Sequence, residues 1–139
     1  MLLLNPELVR FGAASWARPA SVVIEQEAAR LIAERSFDGP YETLVDVPQV
    51  RTIITVAHEP DAREALPDTL GKRDELSVQV AAPGSDARRL RIRVRCVITS
   101  VRYRWTAPGK YQRLVTLQGE SAAGDSSPIE VDVLTTRPS

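Results

Sequence analysis

From Leu76 to Leu117 apolar and polar residues alternate almost one by one, the period of a half-buried β-strand. Leu76, Val78 and Val80 share one face of a first arm. Leu90, Ile92 and Val94 share one face of a second, and Pro83-Gly84 marks the turn between them. The phase slips between Cys96 and Val97, after which Val97, Val101, Tyr103 and Trp105 have one parity. A bulge at that slip is expected to turn the apolar set to the other face of the strand. Past the "APGK" turn, Tyr111, Arg113, Val115 and Leu117 form a further alternating strand, and Ile129–Leu134 forms a last short one.

Upstream, Val50, Thr52, Ile54 and Val56 alternate with Arg51, Ile53 and Thr55, in a segment rich in β-branched residues. The segment Ser21–Phe37 is mixed. Its Ala, Glu and Arg content admits a helix. The Asp38-Gly39-Pro40 turn signal and the extended stretch behind it favour two strand pieces, Val22–Gln26 and Arg30–Phe37, around a break near Glu27–Ala29. Asp61–Leu66 lies between Pro60 and Pro67, and Asp61 and Glu64 have capping-box spacing, which predicts one short helix. The sum is a mostly β chain. It is an antiparallel β-sandwich or barrel-like single domain over residues 1–139, with a long hairpin from Leu76 to Trp105 and one short helix. The hairpin tip around Pro83–Arg89 is expected to be ordered only by neighbours, since arms of that length outrun what a lone hairpin supports in water.

Composition narrows the classes. A chain of 139 residues, 43% hydrophobic and 26% charged, can bury a real core and reads as a soluble domain rather than a disordered one. No apolar run approaches the roughly 20 residues of a membrane-spanning helix, and four apolar residues followed at once by Pro6 and Glu7 are not expected to act as a secretory signal. One histidine, His58, and one cysteine, Cys96, do not fill a zinc site, and no phosphate-binding glycine loop is present. No catalytic, cofactor-binding or metal residues are therefore expected, and the chain is not read as an enzyme. Cys96 is expected in a core or interface, and Trp16 and Trp105 as core or subunit anchors.

Charge adds the feature that composition hides. Residues 1–70 carry 6 Lys/Arg and 11 Asp/Glu, a net of −5, whereas residues 71–139 carry 12 and 7, a net of +5. Ala87–Arg113 contains nine basic residues and no acidic one, and Arg89, Arg91, Arg93 and Arg95 occupy alternate positions. Every basic residue from Arg88 to Arg104 is arginine, the side chain suited to two-pronged grip on carboxylate or phosphate. Two partners fit: the acidic half of another copy, or the phosphates of a nucleic acid.

The order of these segments resembles the small tail-tube proteins of long-tailed bacteriophages. The likeness runs from "SVVIEQEAARLIAERSFDGPYETLVDVPQVRTIITV", through a helical loop and the Arg-rich hairpin, to "GKYQRLVTLQGESAAGD". It implies a structural subunit of a virion, made in the host cytoplasm. Such a subunit assembles into stacked, hexameric rings whose hairpins join into an inner barrel through which DNA passes without sequence-specific binding. Sheath, baseplate and tail terminator proteins are the implied further partners. Lumens in this family are often acidic, so at least some of Arg88–Arg104 are expected to face neighbouring subunits and not the channel. The interface candidates are Arg89, Arg91, Arg93, Arg95, Arg102, Arg104 and Trp105. The alternatives are a tail terminator or tube-like baseplate component, or a nucleic-acid-binding β module that uses the Arg88–Arg104 strand.

Overall fold

Strict alternation of β-branched and aliphatic residues with polar ones leaves one face of each strand apolar, and such faces have to be buried together. A computed structural model, which describes residues 2–35, 42–60, 70–81, 88–121 and 127–135, shows how this chain does so. The described residues form nine strands and no helix. These are β1 (Leu2–Leu4), β2 (Leu8–Phe11), β3 (Ala14–Ser15), β4 (Pro19–Arg35), β5 (Glu42–His58), β6 (Arg73–Ala81), β7 (Arg88–Ala107), β8 (Lys110–Gly119) and β9 (Ile129–Thr135). They join in one antiparallel sheet with the order β1-β4-β5-β8-β7-β6-β2-β3, and β9 pairs with β7 off this path. The expected helix at Asp61–Leu66 lies outside the described residues.

The mostly antiparallel β reading holds. The sheet curls, as in a sandwich, without closing into a barrel. Val9 and Phe11 of β2, Val22 and Ile24 of β4, Ile54 and Val56 of β5, Leu76 and Val78 of β6, Ile92–Ile98 of β7 and Val115 and Leu117 of β8 all contribute to one buried cluster. Strands so far apart in the order share a core only if the sheet folds over on itself. The segment between β2 and β4 completes the fold-over: Gly12 turns the chain back, and Trp16 is buried in the same cluster. Gly12 adopts φ +62°, and a Cβ there would meet the Asp74 carboxylate at 2.1 Å, so both conformation and space call for glycine. Strands β1, β2 and β3 are two to four residues long, too short for periodicity to mark them in the sequence.

Three expectations change. First, Ser21–Arg35, the part of the expected Ser21–Phe37 segment that lies within the described residues, is neither a helix nor two strand pieces but part of a single strand, β4, which stays paired with β5 from Pro19 to Arg35. Register shifts fall at Ala28/Arg30 and Arg30/Ile32, close to the expected break, and pairing resumes beyond them. Pro48 of β5 lies opposite this irregular stretch, where a residue without an N–H is tolerated.

Second, the phase slip in β7 lies at Thr99, since Ile98 pairs with Leu117 and Ser100 with Thr116. The extra residue does not turn the apolar set over. Ile92, Val94, Cys96 and Ile98 are buried before it, and Val101 packs on the same core after it. The sequence changes parity because the bulge does, and the two changes cancel.

Third, the long free hairpin is not Leu76–Trp105. β6 is flanked by β2, and the first half of β7 by β6 and β9, so most of that hairpin lies inside the sheet. Residues 82–87 of its tip lie outside the described residues. The arm that leaves the sheet is β4–β5. β1 borders β4 only at Ser21–Val23, and β8 borders β5 only at Ile53–His58. Beyond those limits β4 and β5 pair only with each other among the described residues. From Glu25 to Arg35 this ribbon reaches about 35 Å at roughly 3.3 Å per residue.

Candidate functional site: an arginine ladder and an aromatic hairpin tip

The seven interface candidates divide into two places along β7. Arg89, Arg91, Arg93 and Arg95 project from the face opposite Leu90, Ile92 and Val94, as the alternation requires. Their partners come from the same chain. Arg91 meets Asp132 at 3.2 Å, and Arg93 meets Glu130 at 3.1 Å and Asp132 at 3.0 Å, both acids being on β9. Arg89 pairs with Glu7, just before β2, and Arg95 sits directly across from Glu75 of β6. The row is thus a ladder that ties the edge strand β9 and the β2 end of the sheet to β7. Intrachain acids stand where the sequence alone suggested a neighbour's acids. Only Glu7 among them belongs to the acidic first half of the chain.

β9 nearly continues β8 along one edge of β7. Cys96 pairs with Gly119, Glu120 N–H donates to Arg95 O at 2.8 Å, and Val94 pairs with Ile129.

Arg102, Arg104 and Trp105 lie elsewhere, at the tip of the β7–β8 hairpin. Its turn uses Pro108 and then Gly109 at φ +73°. Tyr103 and Trp105 of β7 and Tyr111 of β8 gather on the face that continues the core. The Tyr111 ring lies 6.0 Å from Tyr103 and 5.2 Å from Trp105. Trp105 is 72% exposed. On the opposite face stand Arg102, Arg104, Lys110 and Gln112, with Arg104 donating to Gln112 Oε1 at 2.6 Å. Aromatic rings on one face and cations on the other make a poor track for a nucleic acid strand, which needs stacking and phosphate contacts together. Tyr103 and Tyr111 were absent from the expected site residues, although their period-2 spacing with Trp105 is visible in the sequence. Trp16 is buried, as a core anchor should be, whereas Trp105 is not.

At the base of this tip a polar group replaces core. Arg113 occupies an apolar slot of β8 and is 2% exposed. Its Nε–H donates to His58 Nε2 at 2.8 Å, and His58 Nδ1–H donates to Ala17 O at 3.1 Å. These two bonds fix His58 as the neutral Nδ1–H tautomer. Trp16 stacks on His58 with ring centroids 5.4 Å apart, and the guanidinium lies 5.4 Å from the Trp16 ring. The cluster joins the β2–β4 connection to β5 and β8, and so fixes the base from which the tip projects.

Other sites are modest. Among the described residues no group of three or more His, Cys, Asp or Glu is placed to hold a metal ion. A cleft of about 100 Å³ lined by Arg18, Ala20, Glu59, Lys110, Tyr111 and Gln112 lies beside the tip, well below the few hundred Å³ of a typical ligand pocket. Cys96 is buried, and its burial pushes the thiol from the usual 9.0 up to about 12, with the carboxylates of Glu120 and Asp74 adding to the rise. The folded state therefore favours the neutral thiol. Its contribution to stability is complete below pH 9.0 and declines as the pH rises from there toward 12. A thiol reagent at pH 8 is expected to label Cys96 only at the rate of unfolding. Prompt labelling of the folded protein would contradict that burial. No protein-family model matches the chain, and no curated protein sequence matches it significantly.

Proposed function

We propose that this chain is a structural subunit of a bacteriophage tail tube that assembles with copies of itself into stacked, hexameric rings around a channel for DNA. The observation that carries the proposal is the β4–β5 ribbon, which extends past its neighbours with both edges unpaired among the described residues. A lone two-stranded ribbon is marginal in water, and a long open edge invites further strands. Among the described residues the second half of β7 is open in the same way. β6 borders β7 no further than Val97, and only Lys72 and Gly71 extend that border, by backbone bonds to Ile98.

The central strands β4-β5-β8-β7 therefore form a slab with an open stretch of edge on each side. Copies joined edge to edge make a head-to-tail, heterologous contact, which closes as a ring or continues as a filament. The body of each subunit covers the core side of the slab. The opposite face, which carries Arg102, Arg104, Lys110 and Gln112, then lines the channel. The tail assignment itself comes from the resemblance in segment order described above.

Sedimentation velocity and negative-stain microscopy over a range of protein concentration test this reading. Rings or tubes are expected. A protein that stays a monomer throughout, or that binds duplex DNA with nanomolar, sequence-selective affinity at physiological salt, would refute it in favour of a nucleic-acid-binding module.

A further inference from the structure

The two open edges carry complementary side chains at the same spacing. On β4, just past the end of β1, Glu25 and Glu27 point to one face, while Ile24, Gln26 and Ala28 take the other; Gln26 pairs across to the buried Thr52, which identifies the core side. On the free edge of β7, Arg102 and Arg104 point to one face and Tyr103 and Trp105 to the core side. Each edge thus presents two like charges two residues apart on the outer face. On the core face, bulky exposed rings on one edge stand against the smaller Gln26 and Ala28 on the other.

Two of the charges are unspent. Glu25 and Arg102 have no ion-pair partner in their own chain among the described residues, while Glu27 is shared with Arg51 at 3.2 Å and Arg104 with Gln112. In the slab order β4-β5-β8-β7 adjacent strands are antiparallel, so a second copy's β4 placed beside β7 in the same facing is antiparallel to it as well.

We infer that β7 of one copy pairs with β4 of the next through an ionic clasp: Glu25 of the second copy faces Arg104 of the first, and its Glu27 faces Arg102. This rests on the self-assembly proposed above and names the contact that makes it. In that register a second copy's Ile24 lies across from Trp105 and its Gln26 across from Tyr103, so the rings gain cover on the core side. The clasp also begins where β1 stops, since β1 already holds Ser21–Val23 of the same edge. Cations elsewhere on the chain do not fit as well. Arg91 and Arg93 are already engaged by β9 within the chain.

The test uses two variants of the full chain beside the wild type. R102E/R104E sets like charges against Glu25 and Glu27, and such juxtaposition costs several kcal/mol. It is expected to raise the concentration needed for assembly about a hundredfold or more, with the thermal melting of the subunit unchanged. In Q26C/Y103C, which keeps all four charges, mild oxidation is expected to give a ladder of covalent oligomers on a denaturing gel. Q26C and Y103C alone should give none, because Cys96 is buried and does not compete. Wild-type assembly by R102E/R104E would overturn the clasp and leave the tube reading standing, as would Q26C/Y103C tubes that yield no ladder. A wild-type chain that never assembles would sink both.

Discussion

Replacing Arg113 by alanine is expected to lower the stability of the subunit by about 3–5 kcal/mol, the range for breaking a buried charged network by removing one partner. Arg113 is one of the largest fully buried side chains in the protein. Its loss leaves His58 Nε2 without its donor and opens a cavity beside Trp16, whose ring the guanidinium lies against. Urea unfolding followed by circular dichroism measures the change, with Trp16 as an internal reporter of the site. A loss under about 1 kcal/mol would mean that water replaces the guanidinium at no real cost, and that the cluster does not hold the base of the tip. A methionine at the same position separates volume from charge, because it fills space but donates nothing to His58.

The second large effect concerns β9. R91E/R93E is expected to release that strand at a cost on the order of 2–3 kcal/mol. The substitution removes three half-exposed ion pairs, each worth a few tenths to about 1 kcal/mol, and sets like charges directly opposite across the strands. Val131 and Val133 are 53% and 60% exposed, so burial by itself holds β9 only weakly. Hydrogen exchange reports the outcome: amides of Ile129–Leu134 should lose protection while those of β8 keep it. Unchanged protection of β9 together with lost assembly would return these arginines to an intersubunit contact, the role that sequence alone suggested. The two double reversals on β7 thus have opposite signatures, local release of β9 for Arg91 and Arg93, and loss of assembly with an intact subunit for Arg102 and Arg104.

Strand identity was legible because alternation of side chains is a property of the backbone itself. Leu76–Val80, Leu90–Val94 and Val50–Val56 are strands, with Leu76, Val78, Val80, Ile92, Val94, Ile54 and Val56 inward, and Cys96 is buried as expected. Even the buried Arg113 had a signal, since it stands in the apolar phase of Tyr111, Val115 and Leu117. Neighbour relations were not legible. Alternation fixes which face of a strand is inward but says nothing about which strand lies beside it, so it points to β6–β7 as the free arm, whereas pairing makes it β4–β5. The slip near Cys96 showed that parity changes, but only the register with β8 shows that Thr99 is the extra residue and that the apolar set stays on one face. The arginine row was plain in the sequence, whereas its partners are set by tertiary structure. Asp132 and Glu130 lie some forty residues away along the chain and reach Arg91 and Arg93 only because β9 returns to the edge of β7. Local periodicity determined the strands and their inner faces. The order of strands in the sheet, a matter of long-range pairing that no short pattern encodes, decided which charges are spent within the subunit and which edges stay open.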